Sequence, residues 1–66
     1  MPTVIDLFKI MDDTTKIVIR NQYNEILYHD EMEVVFQQLT IGELLTEVED
    51  LDYSITYNCI AMKGTF

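Results

Sequence analysis

Between Asn21 and Met62 the chain has no lysine and no arginine, although nine carboxylates fall in that stretch. The four cations are Lys9, Lys16, Arg20 and Lys63, so these forty-two residues more than account for the formal net charge of −8. Affinity for a phosphate backbone comes mainly from cations that displace counterions, so direct nucleic-acid binding is not expected. An anionic lipid surface should repel the chain on the same ground. Other residues are scarce too: no tryptophan, one cysteine, one histidine, one proline and two glycines. A single cysteine excludes an internal disulfide, and Cys59, inside an apolar run, reads as a small core residue in a reducing compartment. No apolar run approaches the roughly 18 residues of a membrane span, and the amino terminus lacks the basic and apolar regions of a signal peptide. A cytoplasmic location is therefore expected. Few glycines and prolines imply short loops.

The same scarcity argues against catalysis. Nucleophilic chemistry needs a nucleophile beside a base that a third group orients. The one histidine, His29, closes a predicted strand, and nothing in the spacing of Ser54 and Cys59 ties them to it. Zinc or iron would need more histidine or cysteine. For hard cations, Asp12-Asp13-Thr14-Thr15 lacks the ligand spacing of a binding loop, and Asp50-Leu51-Asp52 lies on a strand. Neither an enzyme nor a metal or other cofactor is expected.

What the chain does contain is a folding pattern. Apolar residues make up 48% and run along its whole length, which is too many for a disordered acidic tail. Sixty-six residues allow one domain, 1–66. At this size only about 60% of the unfolded surface is buried, so self-association would add useful area. Thr3 is placed as an N-cap, with Asp6 as its capping-box partner and a helix to about Met11. Lys16 to Arg20 has three successive β-branched residues and reads as a strand, with Ile17 and Ile19 on one face and Lys16, Val18 and Arg20 on the other. Asn21 to Glu25 supplies a turn, and Ile26 to His29 completes a hairpin. Residues 32–38 read as a strand or an irregular crossing. Thr40 and Glu43 form a second capping box, leading a helix with Ile41, Leu44, Leu45 and Val48 on one stripe. From Glu49 the period becomes two, with Leu51, Tyr53 and Ile55 opposite Asp50, Asp52 and Ser54. Tyr57-Asn58 turns the chain into a last strand from Cys59 to Lys63. The expected fold is α+β, order α-β-β-(β or loop)-α-β-β: a small antiparallel sheet of two hairpins with two short helices on one side.

The acids give the one pattern that points to function. Asp50 and Asp52 share a strand face about 6.6–6.8 Å apart, a spacing comparable with successive phosphates. Glu43 and Glu47 would lie one helical turn apart, and Asp30, Glu31 and Glu33 cluster before the central segment. Tyr53 and Tyr57 are suited to anchoring a protein contact beside them. The bland alternative is that the charge keeps a small domain soluble. Lys16, Arg20 and Lys63 could share a small positive patch on the strand faces, but the preferred reading is that they are ordinary surface charges.

Thr3 to Arg20, Thr-Val-Ile-Asp-Leu-Phe-Lys-Ile-Met-Asp-Asp-Thr-Thr-Lys-Ile-Val-Ile-Arg, resembles the opening of small acidic proteins carried by phages and prophages of Gram-positive bacteria. Glu47 to Ile55, Glu-Val-Glu-Asp-Leu-Asp-Tyr-Ser-Ile, with the strand that follows, is similar to their carboxy-terminal hairpin. The resemblance implies a phage setting, hence the host cytoplasm, and a role in binding a host protein, as in inhibitors of CRISPR or restriction enzymes. The function expected is non-enzymatic: a nucleic-acid mimic that occupies a basic surface on a host nucleic-acid-processing or defence enzyme, through Glu43, Glu47, Asp50, Asp52, Tyr53 and Tyr57. The alternatives are a structural or regulatory homo-oligomer whose acids confer only solubility, and a small-ligand sponge.

Overall fold

The computed structural model describes all 66 residues. Three short helices, α1 (Val4–Phe8), α2 (Met32–Gln38) and α3 (Ile41–Leu44), accompany four strands: β1 (Lys16–Arg20), β2 (Ile26–Glu31), β3 (Val48–Ser54) and β4 (Cys59–Gly64). The sheet order is β2-β1-β4-β3. The fold is α+β, and the β1–β2 and β3–β4 hairpins are antiparallel as expected. The sheet is mixed rather than wholly antiparallel, because β1 and β4 pair in parallel down its middle. β-branched Ile17 and Ile19 meet Ile60 and Met62 across that join.

Both capping boxes form. Thr3 N–H donates to Asp6 Oδ2 at 3.0 Å, and Thr3 Oγ1 accepts from Asp6 N–H at 3.4 Å. Thr40 and Glu43 repeat the exchange at 2.9 and 3.1 Å. These boxes satisfy donors that a helix leaves open at its first turn, so even very short helices start cleanly. The helices end sooner than their apolar spacing suggests. Regular α1 stops at Phe8, and tighter bonds from Ile10 to Leu7 and from Met11 to Phe8 carry the chain on. In α3, Thr46 N–H donates to Glu43 C=O while its hydroxyl donates to Gly42 C=O, which closes the helix before Glu47.

Residues 32–38 are neither strand nor irregular crossing but the helix α2. Its N-cap Glu31 gives no side-chain hydrogen bond. Backbone carbonyls from the α1–β1 loop replace it: Met32 N–H donates to Thr15 C=O at 2.8 Å and Glu33 N–H to Asp13 C=O at 3.1 Å. That tertiary cap lets the Val-Val-Phe run take a conformation that its local propensity disfavours. Met32, Val35 and Leu39 turn inward.

One core lies between the helices and the sheet. It joins Val4, Leu7 and Phe8 with Ile17, Ile19, Met32, Val35, Leu39, Val48 and Met62. The opposite sheet face has no helix and holds a small buried apolar group of Val18, Cys59 and Ala61, with Ser54 buried beside Cys59. The helices stop short of β3, where Leu51 and Tyr53, on the helix side of the sheet, are 51% and 54% exposed. No helix is long and apolar enough to cross a membrane.

Candidate functional site

Register determines what the open face of the sheet displays. Lys16 and Arg20 project there from β1 beside Val18, and Lys63 projects from β4 beside Ala61. Arg20 and Lys63 are cross-strand partners, and Lys63 is in turn the partner of Asp50. Asp52 sits opposite Ala61, and Glu31 opposite Lys16. Three of the four cations thus gather in the middle strands, with acids on both edges. Lys16, Arg20 and Lys63 share one face of the sheet, and Asp50 borders them. A depression of about 450 Å³ runs between these charges, lined by Arg20, Asp50, Asp52, Ser54, Ile55 and Lys63 among others.

Tyr57 folds over this face from the β3–β4 turn. Its ring meets His29 edge-on, with centroids 4.8 Å apart, and Arg20 lies over it at 6.0 Å. Asn58, next in the turn, has φ of 53°, a left-handed conformation that asparagine tolerates better than most residues. Ser54 Oγ accepts from Tyr57 N–H at 3.2 Å and so helps set the turn. His29 shares a face with Ser54 and Cys59 but stands two strands from Cys59 and three from Ser54. Burial pushes the Cys59 thiol pKa up against the opposing pull of Lys16 and Arg20. A thiol held protonated is a poor nucleophile.

The six residues expected to form one acidic surface are divided. Asp50 and Asp52 lie on the open face of β3, as their alternation predicted, and Tyr57 lies on the same side of the sheet. Tyr53 is on the other face of β3, and its hydroxyl hydrogen-bonds to the Asn58 side chain. Glu47 is not on the helix with Glu43, since α3 ends at Leu44; it forms an isolated bridge with Thr3 instead. The helical Glu43–Glu47 pair is therefore absent.

Glu43 has an internal duty. Its carboxylate accepts from Thr40 N–H at 2.9 Å and from the Tyr28 hydroxyl at 3.2 Å. The Thr40 backbone N–H, opposed by partial desolvation and helped by the Thr40 and Tyr28 hydroxyls, holds its carboxyl below the ordinary glutamate range. Tyr28 responds in the opposite sense: burial first, and then the Glu43 charge, raise its phenol. The lowered Glu43 pKa stabilises the fold above the unfolded glutamate value of about 4.3, and that contribution disappears as pH falls through the lower folded value. Asp6 and Asp12 act in the same direction, through hydrogen bonds from Thr3 and Thr14 respectively. Glu43→Gln should therefore lower the urea midpoint at neutral pH and flatten its fall on acidification. Parallel acid-limb slopes for the variant and the parent would remove this role.

Glu49 is the acid that sequence reading left out. The pairing of β3 with β4 shifts between Val48 and Asp50, so Glu49 is the extra residue of a bulge and stays exposed beside Asp50. A bulge has no reliable signature in one sequence; the failure of simple alternation at the Val48 end was the available hint. Glu47, Glu49, Asp50 and Asp52 together make an exposed acidic run along one sheet edge. In comparisons with known proteins, no family model, no curated protein and no solved structure matches this chain.

Proposed function

We propose that this chain is a non-enzymatic interaction protein of phage type, which binds and inhibits a host nucleic-acid-processing or defence enzyme by occupying a basic surface of that enzyme. The observation that carries this reading is the exposed edge run Glu47, Glu49, Asp50 and Asp52. Glu49, Asp50 and Asp52 are ordered on β3 and Glu47 on the bridge that leads into it, so the run reaches a partner with little loss of backbone freedom. A net charge of −8 would steer it to a basic groove. Asp50 and Asp52 supply the mimicry, with Tyr57 or Tyr53 as contact anchors; Glu43 contributes to the fold rather than the contact.

The test is a pull-down from Gram-positive bacterial lysate at low and at high salt. A basic nucleic-acid enzyme should be retained at low salt and released at high salt. Changing Asp50→Asn together with Asp52→Asn should slow its association about tenfold at low salt. Unchanged association would refute the mimic. One observation favours the homo-oligomer instead: Ile41 and Leu45, four residues apart, are both exposed on the helix layer. Light scattering that shows a stable oligomer, with no affinity for basic enzymes, would select that reading.

A further inference from the structure

β3 lies at the end of the sheet, and from Glu49 to Tyr53 five successive residues are exposed with no strand beyond them. Such an edge presents N–H and C=O groups that have no strand partner, and proteins commonly blunt it with charge on the strand. On β3 the Tyr53 N–H donates to Asp52 Oδ1 at 2.7 Å, a local bond that an incoming strand would displace. Here the blunting covers one face only. Asp50 and Asp52 point to the open face of the sheet, while Leu51 and Tyr53 point to the helix side beyond the reach of the helices. The edge is thus closed to some strands and open to others.

A second copy is a poor occupant. Antiparallel pairing of two β3 strands about Leu51 places Asp50 of each against Asp52 of the other. Pairing about Asp52 opposes that residue to itself. Like charges directly opposite one another destabilise a strand pair. Slipping the register by one residue sets an aspartate against Leu51 or Tyr53, which is no better. β2, the other edge, lacks the division, because its helix-side face mixes Tyr28 with Asp30.

We infer that the outer edge of β3 receives a β-strand of the partner protein, one that alternates lysine or arginine with apolar residues. Basic side chains would face Asp50 and Asp52, apolar ones would cover Leu51 and Tyr53, and main-chain hydrogen bonds would join the strands. The inference rests on the proposed binding of a basic partner and specifies how that partner is held.

The experiment titrates the full chain at low salt with two synthetic peptides of identical composition, Lys-Val-Lys-Val-Lys-Val-Lys and Lys-Lys-Lys-Lys-Val-Val-Val. Affinity is read by calorimetry and amide exchange by NMR. The alternating peptide should bind about tenfold tighter and slow exchange within Glu49–Tyr53. Leu51→Lys with Tyr53→Lys, at half-exposed positions, should abolish that preference while circular dichroism stays unchanged. Equal binding of the two peptides would overturn strand docking and leave the basic-partner reading standing. Failure of both to bind would overturn both. Sedimentation showing a dimer that the Leu51/Tyr53 variant dissociates would overturn it in favour of a second copy.

Discussion

Ile17→Ala should leave a large fraction of the protein unfolded at physiological temperature. Ile17 has no exposed surface and lies on β1, which has neighbours on both sides and the helices above it. Removing three carbons there costs the transfer energy plus the cavity left behind, about 2–5 kcal/mol in total. A chain of 66 residues has roughly 3–10 kcal/mol of stability to lose. One truncation therefore consumes much of the margin, and the melting temperature should fall by more than about 10 °C. Ile55→Ala is the control, because Ile55 is 90% exposed. It should change stability by less than about 0.5 kcal/mol. Equal melting temperatures for the two variants would mean that the core is not where burial places it.

The same contrast explains which parts of the fold could be read from sequence. Lys16–Arg20 announced itself because three β-branched residues in a row have few alternatives to a strand. The Thr3–Asp6 and Thr40–Glu43 boxes were legible because a cap works over three residues and needs nothing distant. α2 was not. Its Val-Val-Phe run favours a strand locally, and its cap comes from the carbonyls of Asp13 and Thr15, seventeen or more residues earlier in the chain. The spacing of Met32, Val35 and Leu39 did carry a helical signal, which the β-rich composition masked. The parallel join of β1 to β4 was hidden for a different reason, since nothing in either hairpin states which edge will meet the other.

The candidate site shows the same division. The alternation that separates Asp50 and Asp52 from Leu51 and Tyr53 is a local property of a strand, so it was visible. Glu43 was read both as a cap for Thr40 and as a contact acid; its bond with Tyr28, fifteen residues away, which ties the carboxylate to the fold, was not legible. Tyr57 was expected to be a contact anchor, and its turn was legible, yet its ring packs beside His29 and Arg20, which come from two other strands.

Gly64→Ala should destabilise the protein by about 1–3 kcal/mol and loosen the acidic edge at the same time. A Cβ at Gly64 would come within 2.9 Å of the Glu47 backbone carbonyl and 2.9 Å of the Phe66 ring. The ring can rotate aside, but the carbonyl belongs to the chain entering β3 and can retreat only if the backbone moves. Gly64 is the register partner of Val48, whose side chain is in the core and whose N–H donates to the Pro2 carbonyl at 2.8 Å. Moving Glu47 away from β4 therefore disturbs the end of β3 where the bulge seats Glu49 next to Asp50. The expected result is a lower melting temperature together with faster amide exchange at Val48 to Asp50, while exchange in β1 changes only in proportion to global stability. A variant as stable as the parent would show that the carbonyl yields easily, and that the strand edge is not held by this contact.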